Sequence, residues 1–509
     1  MHFTKLIFIA FILYSSSAVS TVEEFFSEAK SEPQRLYTFL KEMPKGGELH
    51  YHLAGGAYPE IMLKIAAKTD YCLDTDYKLV KQHPCLQKLT VADTKKKSPL
   101  YKKIINAWSM ENFVPNIESG HDHFFASFYK FFPIVVDHQA LLLADIMKRA
   151  AKQHELYMEI MVMPDNAKSA SFIEPSESSL AAKMKTLLAN KKFQKNIHDT
   201  ITTTTDLLHQ ARQLLNCDRD PQQQTCLLTV KFQYYVLREQ PLDNIFAQAL
   251  NGFVAASLSD DIIAINLVQA EDGYLSMRDY QQQMNIFRFL HQAYPNVNIA
   301  LHAGELDISS LTKPISHIHD ALFIAKAKRI GHGSAINAEQ HKTKIMQHMR
   351  QHQIAVEINL TSNYHILGIS GLHGKKHPLP IYLKHQVPVV LSTDDEGILR
   401  TNLTNEFVRA VTDFNLDYKT IKMINRNTLI HNFLPGKSLW IDVAHNTTVS
   451  ECRNLDSWSC HQFIAANKKA NVEWRLEKKL LAFEAQFMRS KTLKNRIMQH
   501  GNLSTTIDR

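Results

Sequence analysis

Eight short apolar runs, each followed by a helical pattern, constrain the fold of this chain more than any other feature. They are Glu48–Leu53, Leu156–Val162, Leu228–Tyr235, Ile262–Val268, Asn298–Leu301, Arg329–Gly331, Ala355–Asn359 and Val387–Leu391. Strands that are apolar on both sides and alternate with helices indicate a parallel sheet covered by helices. Eight such units predict an α/β fold of the closed (β/α)8, or TIM barrel, type.

The first twenty residues differ in composition from the rest of the chain. Lys5 precedes an apolar run from Leu6 to Tyr14, and small residues follow up to Ser20. This order predicts a secretory signal peptide, and hence an exported protein that is secreted or periplasmic. An N-terminal membrane anchor is the alternative, although the run is short for a bilayer. No later segment is apolar enough to span a membrane.

The cysteines fall into three close pairs, which are Cys72 with Cys85, Cys217 with Cys226, and Cys452 with Cys460. In an exported protein such pairs predict local disulfides that close short loops. Free buried thiols are the alternative. None of the pairs has the CxxC spacing of a cysteine metal site.

The patterns divide the chain into four predicted parts. Residues 1–20 form the signal peptide, 21–42 a helical segment, 43–440 the barrel, and 441–509 a disulfide loop followed by a helix. Residues from about 68 to 110 have few periodic apolar positions, and they predict a disulfide-closed insertion after the first strand. The net charge of +8 is spread over 509 residues without a basic stripe, which argues against a nucleic-acid groove.

Three of the apolar runs end in side chains that can bind a metal. His50 and His52 lie two apart on the first run, so alternation places both on the same side of that strand. His302 and Asp394 each follow a later run. Three imidazoles and one carboxylate make a ligand set for Zn²⁺ and leave one position for water. The sequence therefore predicts one zinc ion per chain.

Two further side chains near these ligands are suited to proton transfer. Glu305 comes three residues after His302, and Gly304 frees the backbone between them. A carboxyl group beside an activated water can carry protons to or from a substrate. His332 lies between two glycines at a strand end, where an imidazole suits a base that activates or orients water. Glu305 and His332 are therefore the predicted catalytic residues.

The motifs HxH, HAGE, RIGHG, TSN and STDD, in that order, resemble the adenosine/AMP deaminase family of metal-dependent hydrolases. The resemblance covers roughly residues 43–435. The signal-like start, Met43-Pro-Lys-Gly, the cysteine-closed insertion and the run Asn266–Asp272 are more similar to the secreted branch, the adenosine deaminase-related growth factors.

The resemblance implies a role for each motif residue. The family's zinc ligands match the four metal-binding residues already identified. Its acid that protonates the purine N1 matches Glu305, and the residue that positions and deprotonates the attacking water matches His332. The carboxylate that hydrogen-bonds the purine N7 matches Asp395, while Gly304 and Gln269 fall at positions that contact the substrate.

Three departures from the family pattern fall at the substrate site. Ala54 stands where the family often has an aspartate that contacts the ribose. Gln269 replaces a glycine whose amide meets the purine, and Glu396 replaces the proline after the paired acids. Ribose contacts are therefore expected from elsewhere, with Trp108 and Glu111 as candidates. These departures bear on substrate preference more than on the chemistry.

The predicted reaction is the zinc-dependent hydrolytic deamination of adenosine, and of 2′-deoxyadenosine, to inosine and ammonia, serving purine salvage or adenosine depletion. Deamination of AMP or another aminopurine is one alternative. A secreted, non-catalytic protein that binds nucleosides or acts as a growth factor is another, but the retention of every ligand, Glu305 and His332 argues for an enzyme. The expected partner is a purine nucleoside, with no nucleic acid or membrane, and homodimerisation is left open.

Overall fold

The computed structural model describes residues 21–487 apart from 70, 82, 83, 86–88, 95–97, 116, 373 and 374. The predicted signal peptide therefore lies outside the described residues. Within them, no helix is long and apolar enough to cross a membrane.

Eight parallel strands form the centre of the molecule. In chain order they are β1 (Lys45–His52), β2 (Glu155–Val162), β3 (Thr229–Leu237), β4 (Ile262–Val268), β5 (Asn298–Ala303), β6 (Arg329–His332), β7 (Ala355–Ile358) and β8 (Val389–Leu391). Each strand pairs with the next along the chain. Closure comes from a parallel bridge between Tyr51 and Asp394, where the His52 amide donates to the Asp394 carbonyl at 2.9 Å. The predicted TIM barrel is confirmed.

Helices connect the strands and cover the barrel. They are Pro59–Ala66, Gly120–Asp137 and Gln139–Lys152 after β1, Leu180–Ala189 and Lys191–Leu214 after β2, Leu242–Leu258 after β3, Tyr274–Ala293 after β4, His317–Phe323 after β5, Lys342–Gln351 after β6, Leu360–Leu367 and Leu379–Lys384 after β7, and Leu403–Phe414 and Tyr418–Ile430 after β8. Local sequence signals explain the helix Leu403–Phe414. The Asn402 side chain caps its first turn, and Leu403, Phe407 and Val411 bury one face.

The predicted insertion after β1 is a small antiparallel sheet of Leu79–Lys81, Tyr71–Leu73 and Leu89–Thr90, followed by the helix Pro99–Ala107. The disulfide Cys72–Cys85 closes this sheet. Cys217–Cys226 and Cys452–Cys460 are also bonded, and no cysteine is free. The three predicted pairings are confirmed.

The two ends of the described chain pack together against the barrel. Residues 21–42 form the helices Val22–Ala29 and Pro33–Glu42, while the C-terminal part contains the pair Trp440–Asp442 and Thr447–Thr448 and the helices Trp458–Ala466 and Lys468–Glu484. The ring of Phe39 lies 5.1 Å from that of Phe483 and 5.8 Å from that of Tyr418. These aromatic contacts join the N-terminal helices to the last helix and to Tyr418–Ile430.

Candidate metal centre and active site

The four predicted metal ligands meet at the carboxyl end of the barrel and are called the metal centre here. They are His50, His52, His302 and Asp394, and their ligand atoms all lie within 4.8 Å of one another. Asp394 Oδ1 lies 3.2 Å from Nε2 of both His50 and His52, and the Nε2 atoms of His52 and His302 are 3.2 Å apart. Metal bonds of 2.0–2.1 Å place neighbouring ligand atoms about 2.9–3.6 Å apart when four protein ligands and one water surround the ion, so these spacings fit zinc.

Hydrogen bonds on the far side of two imidazoles turn their Nε2 lone pairs toward the metal centre. Nδ1 of His50 lies 2.7 Å from Glu357 Oε2, and Nδ1 of His302 lies 2.9 Å from Asn266 Oδ1. The same Asn266 oxygen accepts the backbone N–H groups of His302 and Leu267, which fixes its orientation. Both rings therefore carry their proton on Nδ1, as metal-ligating histidines require. Nε2 of His50 is buried without a hydrogen-bond partner.

Asp394 is held in a strained conformation that aims its carboxylate at the histidines. Its φ of 66° lies in the left-handed region, which a non-glycine residue occupies at a cost. Ser362 Oγ donates to its Oδ2 at 2.7 Å. Burial raises the pKa of Asp394, but the adjacent imidazoles of His50 and His52 outweigh this and hold that pKa well below its usual range. The carboxylate is thus charged and ready to bind a cation.

Glu305 is positioned by a second buried carboxylate rather than by its own loop alone. Glu271 accepts the backbone N–H groups of Gly304 at 2.9 Å and Glu305 at 2.8 Å, and it also pairs with His317 Nδ1 at 2.6 Å. Gly304 has a φ of 76°, which favours glycine. Burial, followed by the charge of Asp394, holds the pKa of Glu305 well above its usual range. This environment favours the protonated acid.

A chain of hydrogen bonds specifies which nitrogen of His332 carries the proton. The backbone N–H of Leu379 donates to His377 Nδ1 at 3.0 Å, so His377 donates from Nε2 to Asn363 Oδ1, also at 3.0 Å. Asn363 then donates its Nδ2 hydrogen to His332 Nδ1 at 3.0 Å. Burial lowers the pKa of His332 to about 3, so the ring is neutral. Its remaining N–H is on Nε2, which is buried without a partner.

The predicted substrate contacts lie around this centre. Asp395 is buried with Oδ1 unpartnered, and burial followed by the charge of Asp394 raises its pKa. Gln269 directly follows β4 with a φ of 83°, and its Oε1 accepts the backbone N–H of Glu239 at 2.9 Å. The hydrogen bond explains how a glutamine can occupy a conformation that suits glycine. Gly331 leaves room for His50, whose Cε1 would lie 2.7 Å from an added Cβ.

The remaining departures have structural explanations. Glu396 is buried, accepts the Tyr51 hydroxyl at 2.8 Å and pairs with Arg149, so it completes a buried ion pair beside the site.

Trp108 is fully buried with its indole N–H bound to the Tyr77 carbonyl. Glu111 pairs with Arg400. Both candidates for the ribose contact are therefore engaged elsewhere in this conformation.

Next to Ala54 the structure offers another polar side chain. Tyr235, near the end of β3, lines a small cavity together with Ala54 and Met161. Its ring centroid lies 6.4 Å from that of His52. Tyr235 therefore carries a hydroxyl in the same cavity as Ala54, the residue that replaces the ribose-contacting aspartate of the family.

The sequence reasoning assigned no role to five residues that support the site, which are Asn266, Glu271, Glu357, Ser362 and Asn363. Asn266 and Glu357 stand inside apolar strands, and an isolated polar residue there is a usable signal for an inward-facing partner. The Thr-Ser-Asn motif was recognised, but only the structure connects its serine to Asp394 and its asparagine to His332.

The adenosine deaminase family model matches residues 44–439. The chain belongs to the adenosine deaminase family. Among curated relatives in sequence, an adenosine deaminase of Clostridium perfringens is 25% identical over 198 residues, covering 39% of this chain and 54% of that protein. An aminodeoxyfutalosine deaminase of Streptomyces coelicolor is 30% identical over 139 residues, covering 27% and 33%. The chain thus spans about half or less of the length of these relatives.

Solved structures of the family share the barrel. The Arabidopsis ADAL protein complexed with IMP has a TM-score of 0.54 at 15% identity, covering 87% of this chain and 99% of that one. An adenine deaminase of Arthrobacter aurescens has a TM-score of 0.51 at 15% identity, covering 77% and 94%. At this identity the likeness concerns the fold, and family membership confirms the resemblance seen in the motifs.

Proposed function

We propose that this protein hydrolytically deaminates adenosine and 2′-deoxyadenosine, releasing inosine or deoxyinosine and ammonia, with one zinc ion in the metal centre. The observation that carries the proposal is the placement of a protonated acid and a neutral imidazole against a metal-binding cluster. Glu305, His332 and Asp394 bring ligand atoms within 4.8 Å of one another, as do the four residues of the metal centre.

Zinc, when bound, supplies Lewis-acid activation of the attacking water. The residues of the chain do the remaining work. Glu305, whose raised pKa favours its protonated form, donates to the purine N1 and so makes carbon 6 more electrophilic. Of the two protons that the attacking water gives up, one returns to Glu305 and the other leaves on the amine as ammonia. Burial, followed by the charge of Asp394, also raises the pKa of Asp395, so its carboxyl can donate from the unpartnered Oδ1 to the purine N7. The two carboxyl groups thus bind two edges of one heterocycle.

His332 in the tautomer described above donates from Nε2 and orients the attacking water. To accept the proton of that water instead, the ring would need the opposite tautomer, which requires the Asn363 amide to rotate away from His377. We therefore assign His332 a positioning function in this conformation. The resemblance suggested deprotonation, and the tautomer favours orientation.

Ribose recognition is assigned to Tyr235, because it lies on the wall with Ala54 and beside His52. A hydroxyl on a ring can donate to or accept from a sugar hydroxyl where a carboxylate is missing. We further propose that the protein is exported, which is supported by its three disulfides, a feature of oxidising compartments.

The decisive experiment follows the ultraviolet absorbance of adenosine with purified, zinc-loaded protein, in parallel with AMP and adenine. We expect conversion of adenosine to inosine, loss of activity with a chelator, and recovery with zinc. Glu305→Gln should reduce kcat by about 100-fold or more while the variant still binds zinc. Turnover of AMP or adenine instead of adenosine would replace the substrate assignment, and no turnover by folded, zinc-loaded protein would refute the deaminase proposal.

A further inference from the structure

A cleft of about 530 Å³ lies at the end of the barrel opposite the metal centre, and it is called the basal cleft here. It is lined by Asn298, Leu322, Lys326, Ala327, Lys328, His348, His352, Gln353, Ile354, Ile430, His431, Asn432, Phe433, Leu434 and Lys469. Asn298 begins β5, Lys328 directly precedes β6, and Ile354 directly precedes β7. These are amino ends of strands, so the cleft is separate from the site at the carboxyl ends.

The basal cleft carries positive charge without a lining carboxylate. Lys326, Lys328 and Lys469 all lie on its wall, and no aspartate or glutamate does so among the described residues. Lys328 Nζ donates to the Asn298 amide oxygen at 2.8 Å, and Lys469 Nζ donates to the Ile430 carbonyl at 3.1 Å. These hydrogen-bond partners are uncharged. Burial lowers the pKa of both lysines, and for Lys469 the charges of Glu473 and Glu159 oppose this shift.

The carboxyl groups closest behind the cleft are engaged with other groups. Glu159 pairs with Arg329 through Nη2 at 2.5 Å. Glu473 accepts the Ser438 hydroxyl at 2.9 Å and the backbone N–H of Leu439. Burial raises the pKa of Glu473 to about 8, which weakens its negative charge near Lys469 at neutral pH.

A buried hydrogen-bond donor in the wall also lacks a partner. Asn432 is 1% exposed, and its Oδ1 accepts the backbone N–H of Leu434 at 2.9 Å, which orients the amide. Its Nδ2 is buried with no hydrogen-bond partner. Buried donors are nearly always satisfied in native proteins, so this group can donate to a water or to a ligand acceptor in the cleft. His348, His352 and His431 add further ring N–H groups to the same wall.

We propose that the basal cleft binds a small molecule through a phosphate group. Three ammonium groups, an unsatisfied amide and imidazole N–H groups form a donor-rich wall that suits the acceptor oxygens of phosphate. The cleft has the size of small-molecule sites, which are about 300–1,000 Å³. This volume favours a small phosphate ester over an extended polymer. Because the basal cleft lies at the opposite end of the barrel from the metal centre, the bound anion takes no part in the proposed deamination.

The test measures binding of inorganic phosphate and of ribose 5-phosphate to the zinc-loaded protein by calorimetry, at constant ionic strength set with sodium chloride. We expect one site per chain and a Kd at least about tenfold higher in the double variant Lys326→Gln with Lys328→Gln, because hydrogen bonds to charged groups contribute about 1.5–3 kcal/mol. The matched control is Lys191→Gln with Lys192→Gln, which removes equal charge from an exposed helix start. That control should bind normally.

Asn432→Asp provides a second variant that keeps the acceptor of the Leu434 amide and replaces the free donor with an acceptor. It should abolish phosphate binding while its KM for adenosine stays close to that of the parent. Equal affinities for the two anions would place recognition in the phosphate group, and tighter ribose 5-phosphate would add the sugar; both outcomes support the proposal. Absence of binding, equal weakening in the control pair, or competition with adenosine would overturn it.

Discussion

Two buried polar networks meet inside the barrel and differ in completeness. In the first, called the Arg329 network, the guanidinium bonds Glu357 Oε1 through Nε and Glu159 Oε2 through Nη2, both at 2.5 Å, and the His431 carbonyl through Nη1 at 2.9 Å. Every nitrogen of Arg329 has an acceptor. In the metal centre and its surroundings, by contrast, His50 Nε2, His332 Nε2 and Asp395 Oδ1 are buried without partners.

This difference in hydrogen-bond completeness indicates that the Arg329 network stabilises the fold, whereas the metal centre is suited to binding. Buried charges are tolerated where pairing and hydrogen bonds compensate for lost hydration, and the Arg329 network meets that condition within the chain. The metal centre would meet it with the cation and the substrate of the proposed function bound. Glu357 joins the two networks, because it accepts from Arg329 on one side and from His50 on the other. The complete network therefore fixes one ligand of the incomplete one.

The largest effect is expected from breaking the complete network. Arg329→Leu leaves Glu159 and Glu357 without their counter-charge in a buried place, and we expect a loss of about 3–5 kcal/mol in the free energy of unfolding. Urea unfolding of the zinc-loaded protein measures it. The matched control is Arg400→Leu, because Arg400 also pairs with two glutamates, Glu60 and Glu111, but is partly exposed. A loss in the control as large as that in Arg329→Leu would contradict the argument.

Zinc binding at the metal centre should stabilise the folded protein. Zinc at about a thousand times its Kd is expected to add about 4 kcal/mol to the free energy of unfolding, because it binds the folded chain. Thermal unfolding of chelated and reloaded protein shows the change. Glu305→Gln keeps all four ligands, so it should gain the same stabilisation while lacking activity. An unchanged melting temperature after zinc is restored would show that the cluster is not a metal site.

A smaller effect is expected from Glu271, the carboxylate that positions the proposed catalytic acid Glu305. In Glu271→Gln the amide keeps one acceptor oxygen and turns its NH2 group toward the second backbone N–H, so the Gly304–Glu305 turn shifts. We expect kcat to fall about 10- to 100-fold with unchanged zinc content and little change in KM. Glu239→Gln is the matched control, since Glu239 also accepts two consecutive backbone N–H groups, from Leu275 and Ser276.

The same residue predicts a dependence of stability on pH. Burial raises the pKa of Glu271, but the hydrogen bond with His317 and the charge of Arg238 outweigh it and bring that pKa to about 2. A lowered pKa contributes stability that is complete above the ordinary value of 4.5 and is lost as the pH falls toward 2. Melting temperatures between pH 5 and pH 3 should therefore fall more steeply in the parent than in Glu271→Gln. Equal slopes would contradict this assignment.

Much of the barrel was predictable because its signals are local. Apolar runs and helical spacing located all eight strands, although β1 begins at Lys45 rather than Glu48 and β6 extends to His332. Alternation also predicted that His50 and His52 lie on the same side of β1, and the structure brings both into the metal centre. Spacing within the chain was sufficient for the three disulfides, since each joins cysteines fewer than fifteen residues apart.

Local periodicity and motif spacing are enough to predict the strand order, the metal-binding residue types and their place at strand ends. The protonation state and orientation of each group depend instead on contacts between distant parts of the fold. The proton positions on His50 and His332 depend on Glu357 and on the His377–Asn363 chain, which come from distant strands and helices. Likewise, the basal cleft joins loops that are remote in sequence. Burial and the identity of spatial neighbours set these properties, and neither can be read from spacing along the chain.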